Sequence, residues 1–286
     1  MKKLILQIVS FLLVTSVMSQ QADIQPVRLE KLSEKLYQIL DGRGANGGAY
    51  IGDTGVLVID AKMTKLNVDQ TIFEIKKITD KPIKYLVSTH SDGDHITGNR
   101  FFPPTVTFIA HENCRKEFFH PRRDDTPSEW DNPELLPFIP SITFRDKMDL
   151  YLGAQKVELW YFGVGHTTGD LVVYFPEEKT AFIGDQIFVG RPQLIHSYKN
   201  GNSFAHVKTL TKMLNTLDAE HFCSGHSDVI DRQIIKNHIE KMKQKQTKIK
   251  TLMDLNKNLE QIKTEFNQNE SRLIESIYNE IKSGAM

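Results

Sequence analysis

From residue 36 to residue 61 the chain alternates short apolar runs with Gly- and Asp-containing punctuation, which predicts strands at 36–40, 49–52 and 56–59 joined by tight turns. Val68, Ile72, Ile75 and Ile78 then recur at helical spacing and predict a helix over 67–78 that ends before Pro82. A continuous apolar run at 83–87 predicts a buried strand, 106–110 another, and 112–119 a short helix. Four strands follow at 148–152, 156–162, 171–175 and 180–183 without a helix between them. A helix over 204–217, with Ser203 as its N-cap and Val207, Leu210, Leu214 and Leu217 inward, closes this second half. Charged helices at 232–255 and 258–281 complete the chain, with the lysines of the first read as a solvated face.

Two successive blocks of strands followed by helices suggest two sheets packed face to face with helices outside, a four-layer αββα sandwich of the α/β class. A doubly wound parallel sheet would need a helix after each strand, and 144–183 has none. The prolines at 103–104 and between 121 and 140 fall in surface loops, and no linker or internal repeat divides the chain.

The first residues follow a different pattern. Lys2 and Lys3 precede an apolar stretch to Met18, then a small-residue site before Gln20, the layout of a secretory signal peptide over 1–19. A stable membrane anchor would need about 20 apolar residues and a following positive cluster, and neither is present. Removal of 1–19 leaves residues 20–286 as one domain, secreted or periplasmic.

The 36 Lys and Arg balance 36 Asp and Glu, and loss of Lys2 and Lys3 tips the balance slightly acidic. No long-range field remains to attract nucleic acid, so a small-molecule substrate is expected instead. Cys114 and Cys223 are too few for a disulfide framework or an iron-sulfur cluster. Export would permit their pairing, although two separate buried thiols are the expectation.

The ten histidines carry the chemistry. Ser88-Thr89-His90-Ser91-Asp92-Gly93-Asp94-His95 packs four metal-competent side chains into six positions at the end of a strand, where Gly93 allows the turn that gathers them. Gly165-His166, Gly184-Asp185 and Gly225-His226 each place one further donor beside a glycine at a strand end. In this arrangement the sequence resembles the metallo-β-lactamase superfamily of hydrolases over nearly all of the processed chain, through the family pattern H-x-[HED]-x-D-H, a later His, a bridging Asp or substitute, and a last His. The resemblance implies His90, Asp92 and His166 on one divalent ion, Asp94, His95 and His226 on a second, and Asp185 bridging them. It also implies a support role for Asp60, and a hydroxide between the ions as nucleophile, oriented by Asp94, which would pass a proton to the leaving group.

Asp92 departs from the histidine that most of the family carries. A carboxylate hardens the first site and moves its preference from zinc, the expected metal, toward iron or manganese. Aspartate at 185 resembles the ester, thioester and lactone hydrolases of the family more than its β-lactamases, which carry cysteine or serine there. A dinuclear hydrolase acting on an ester, thioester, lactone or amide is therefore the expected function. A non-haem iron redox enzyme and a β-lactamase are the alternatives. The segment 190–198 is expected to pass over the metal mouth, with His196 and Tyr198 as candidate donors to a developing oxyanion, and Trp130 with the loop 122–134 as a wall.

Overall fold

The computed structural model describes residues 25–286, so the signal-peptide segment lies outside the described residues. The chain enters through β1 (Arg28–Lys31), β2 (Leu36–Leu40), β3 (Gly47–Ile51) and β4 (Val56–Ile59), then α1 (Lys65–Lys76) and β5 (Ile83–Val87). A single turn, α2 (Gly93–Ile96), precedes β6 (Thr107–His111), α3 (Glu112–Phe118) and β7 (Ile142–Phe144). These strands form one seven-stranded sheet in chain order, antiparallel from β1 to β4 and parallel from β4 to β7. The second half supplies β8 (Lys147–Leu152), β9 (Gln155–Trp160), β10 (Val172–Phe175), β11 (Thr180–Gly184), α4 (Ser203–Thr216), β12 (His221–Ser224) and β13 (Ile230–Asp231). Its six-stranded sheet runs β13-β12-β11-β10-β9-β8, with β11 and β12 parallel. The chain ends in α5 (Arg232–Asp254), α6 (Leu259–Lys263) and α7 (Ser271–Ser283).

The two-residue period of a strand explains the layering. In β4, Leu57 and Ile59 face the second sheet while Val56 and Val58 face α1. In β10, Val173 and Phe175 face the first sheet while Val172 and Tyr174 face α4 and the C-terminal helices. Both faces of both sheets are therefore apolar, and helices cover the two outer ones: the αββα sandwich expected from the sequence. Cys114 and Cys223 are free thiols buried in different clusters, so the expectation of two separate thiols holds. No helix among the described residues is long and apolar enough to cross a membrane.

Two local expectations change. The N-cap of α4 is Asn202, whose side chain accepts from Ala205 N at 2.7 Å. Ser203 lies inside the helix because its N–H and hydroxyl both donate to Glu280 of α7. The single helix expected over 258–281 is instead α6 and α7 separated by residues 264–270, with extended backbone at Asn267. Phe266 packs there against the core of the second half, between the lysines at 245 and 248.

Candidate metal centre

The sheets deliver the site at one edge of the sandwich. β5 ends at Val87, and the next residues, Ser88 to His95, turn across the edge into the short helix α2. His166 comes from the turn between β9 and β10, Asp185 follows β11, and His226 follows β12. Gly184 takes a left-handed φ of +52°, which turns the chain sharply at the end of β11 and releases Asp185 toward the other loops.

Seven side chains meet there in two groups, each able to hold a metal ion: His90, Asp92, His166 and Asp185, and beside them Asp94, His95 and His226. Asp185 lies between the groups. Its Oδ1 is 3.2 Å from His95 Nε2, while its Oδ2 is 3.3 Å from His226 Nε2 and 3.9 Å from both His90 Nε2 and His166 Nε2. Asp92 Oδ2 is 3.0 Å from His166 Nε2 and 3.6 Å from His90 Nε2, and Asp94 Oδ2 is 3.0 Å from His226 Nε2. The structure thus brings together every sequence-expected ligand.

Outer contacts aim the rings. His166 Nδ1 donates to Leu194 O at 2.8 Å, and His95 Nδ1 faces Asp60 Oδ2 at 2.8 Å. Thr89 Oγ1 donates to the same Asp60 oxygen and lies 3.2 Å from His90 Nδ1. In each case Nδ1 is engaged and Nε2 is left for the centre, the arrangement of metal-ligating imidazoles, with a carbonyl behind His166, a carboxylate behind His95 and a carboxylate-bound hydroxyl behind His90. The Nε2 atoms of His90 and His95 and Oδ1 of Asp185 are buried without a hydrogen bond. Such orphaned donors, facing one another, fit divalent cations held between them.

The charges agree. Burial alone would depress the imidazoles, yet the carboxylates reverse it: Asp92 and Asp185 raise His166 to about 9, and Asp185 and Asp94 raise His226 to about 9. Burial would raise the carboxyls of Asp92 and Asp185, yet the surrounding histidines hold both well below the ordinary value.

Of the pocket residues, Tyr198 reaches a cavity of about 280 Å³ lined also by Asp92, Asp94, Trp130, Arg122, Arg123 and Lys199, so the loop with Trp130 does stand beside the cluster. His196 is buried and turned inward, with Nε2 2.7 Å from Asp92 Oδ2 and Nδ1 3.2 Å from Arg123 Nη2. Both of its nitrogens are thereby engaged by the protein.

Two residues carry the site without having stood out in the sequence. Lys199 Nζ lies 2.8 Å from Asp92 Oδ1, and buried Glu117 accepts from Ser91 Oγ and from Thr168 N and Oγ1, tying the loop of His90 to the loop of His166. Lys199 is 107 positions from Asp92 and Glu117 is 51 from Thr168, so no local spacing marks either.

A family model described as the metallo-beta-lactamase superfamily matches residues 40–226. A metallo-beta-lactamase type 2 of Elizabethkingia meningoseptica is 23% identical over 236 residues, spanning 78% of this chain and 88% of that protein. One of Bacteroides fragilis is 22% identical over 246 residues, spanning 82% and 94%. The alpha subunit of 2,4-dinitroanisole O-demethylase of Nocardioides sp. (strain JS1661) is 27% identical over 141 residues, 49% of this chain and 40% of that one. Among solved structures, the DIM-1 metallo-beta-lactamase superposes with a TM-score of 0.62 at 18% identity, covering 77% of this chain and 98% of the other. A metallo-beta-lactamase from Pontibacter korlensis gives 0.62 at 17% identity, covering 76% and 99%. At these identities the structural likeness shows a shared fold.

Proposed function

This chain belongs to the metallo-beta-lactamase superfamily of metal-dependent hydrolases, and from that premise we propose that it is a dinuclear enzyme cutting an ester, thioester, lactone or amide bond of a small molecule. The observation that carries the reading is the position of Asp185, one carboxylate reaching the histidines of both donor groups. His90, Asp92 and His166 would hold one ion, Asp94, His95 and His226 the other, and Asp185 both. Two divalent ions, when bound, supply Lewis acidity that makes water acidic near neutral pH and polarises a carbonyl.

The chain's own residues do the rest. Asp94 is the most exposed of the three carboxylates, at 30% against 13% for Asp92 and 4% for Asp185, and it lines the cavity, so it is the carboxylate placed to hold a water and pass its proton to a leaving group. Tyr198 and Trp130 line the same cavity and would orient the substrate. Zinc is the expected metal, with iron or manganese favoured to the extent that Asp92 ligates. We further propose export with removal of residues 1–19, leaving 20–286 as the working domain. A cyclic amide such as a β-lactam is one member of the substrate class, and two relatives bear that name.

The test is metal analysis of protein from its native compartment, followed by turnover of chromogenic lactone, thioester, ester, phosphodiester and cephalosporin probes. Two ions per chain with carbonyl hydrolysis supports the reading. Protein that binds no metal, or iron protein that consumes oxygen and hydrolyses nothing, overturns it.

A further inference from the structure

Among the described residues, Asp92 is the only one of the seven donors that meets a lysine ammonium. Lys199 is buried, and its three donors have three acceptors: Ser91 O at 3.2 Å, Ser91 Oγ at 2.9 Å and Asp92 Oδ1 at 2.8 Å. The other oxygen, Oδ2, faces His166 Nε2 at 3.0 Å and accepts from His196 Nε2 at 2.7 Å. The direction of that last bond is fixed from outside. Arg123 can only donate, so His196 Nδ1 is an acceptor and its proton lies on Nε2.

The two oxygens of Asp92 therefore have different tasks. Oδ1 is held away from the cluster by an ammonium, and Oδ2 is presented toward His90 and His166 with one lone pair left for an ion. Resting on the dinuclear reading above, we propose that Lys199 is a positioning residue of the first metal site, pinning Asp92 as a one-oxygen ligand and cancelling its charge, so that the Asp92–Lys199 pair enters the site as a neutral donor. The pair is nearly dry, with side-chain exposures of 13% and 8%, and an ion pair broken on one side in such a place leaves an uncompensated charge. Lys199→Met would leave Oδ1 unpinned, free to swing onto the ion or into water, and the first site one unit more negative. A neutral imidazole at position 92 has no such charge to cancel, so the need for Lys199 should vanish with Asp92.

The test is a double-mutant cycle read by metal content and chelator competition with zinc and with cobalt, the cobalt absorption bands reporting the ligand set. Wild type should bind two ions. Lys199→Met should lose affinity at the first site by at least about tenfold and shift the cobalt bands, the scale seen when a ligand's outer partner is removed. Asp92→His strands the Lys199 ammonium beside the first site and should weaken it too, and adding Lys199→Met to it should restore affinity there and not lower it further. If Lys199→Met fails to fold while the double variant folds, the same dependence is expressed in stability and supports the proposal. Equal loss of metal or fold in both backgrounds overturns it, as does Lys199→Met binding both ions like wild type, or Asp92→Ala with unchanged stoichiometry. Wild-type protein that binds no ion sinks the dinuclear reading itself.

Discussion

Asp60 places one carboxylate oxygen 2.8 Å from Nδ1 of His95, and the same oxygen accepts the Thr89 hydroxyl that stands beside His90. One carboxylate thus orients a histidine of each donor group, directly for His95 and through Thr89 for His90. Its other oxygen accepts Thr89 N at 2.8 Å and holds the start of the ligand loop.

Asp60→Asn keeps an acceptor for Thr89 N but turns an amide toward His95, which favours the wrong tautomer of that ring. The expected result is about a ten- to hundredfold weaker second ion in chelator competition with the circular dichroism spectrum unchanged. Wild-type affinity for both ions in this variant would remove Asp60 from the account.

Gly225 is needed for closeness. A Cβ placed there would lie 2.7 Å from His95 Cε1 and nearer still to Asp185 Oδ1. Gly225→Ala must push the bridging carboxylate or the ring aside. We expect the dinuclear stoichiometry to be lost at a cost of roughly 1–3 kcal/mol in stability, the usual scale of overpacking. Metal analysis beside a denaturant melt separates the two effects, and an alanine variant with two tightly held ions would show that the neighbours yield freely.

The pH dependence follows from the histidines. In metal-free protein His166 and His226 titrate at about 9, against an ordinary value of 6.5. A folded value above the unfolded one means that the stabilisation is complete below about 6.5 and is lost as pH rises through about 9. Chelator-stripped protein should therefore melt lower at pH 9.5 than at pH 6.5. Metal ligation needs neutral rings, so uptake at pH 7 should release at least about one proton per ion. Calorimetric titrations in buffers of different ionisation enthalpy measure that release directly, and a binding heat independent of buffer would contradict it.

Much of this was legible in the sequence because the signals are local. Strands 56–59 and 83–87 stand where their apolar runs place them, and the ligand loop declares itself by four donors in six residues. The remaining ligands announced themselves through the glycines that free the chain at strand ends. What the sequence did not disclose is relational. Lys199 looks like any surface lysine until a partner 107 residues away is known, and His196 is a plausible cleft donor until Asp92 and Arg123 are found on its two nitrogens. The break between α6 and α7 escaped for a similar reason. Ile262, Leu273, Ile274 and Ile277 are all buried, and their spacing suits one helix as well as two, while the break falls where Phe266 packs against the same core.

Glu280 and Ser203 show the same long-range logic in the core of the second half. Ser203 N donates to Glu280 Oε1 at 2.9 Å and its hydroxyl to Oε2, joining α7 to the first turn of α4. Burial raises the Glu280 carboxyl above its ordinary value, and the two bonds from Ser203 only partly oppose this. A raised folded value contributes stability that is present below the unfolded pKa of about 4.5 and lost as pH rises. At neutral pH the charge itself is therefore a cost, while the acceptor is a gain. Glu280→Ala, which strands a buried N–H, should lose about 1–3 kcal/mol in urea denaturation. Glu280→Gln keeps an acceptor for Ser203 N without the charge, so its midpoint at pH 7 should equal or exceed that of wild type, with the difference shrinking toward pH 4.5. A glutamine variant as unstable as the alanine one at pH 7 would mean that the carboxylate charge, and not the acceptor, holds the two helices together.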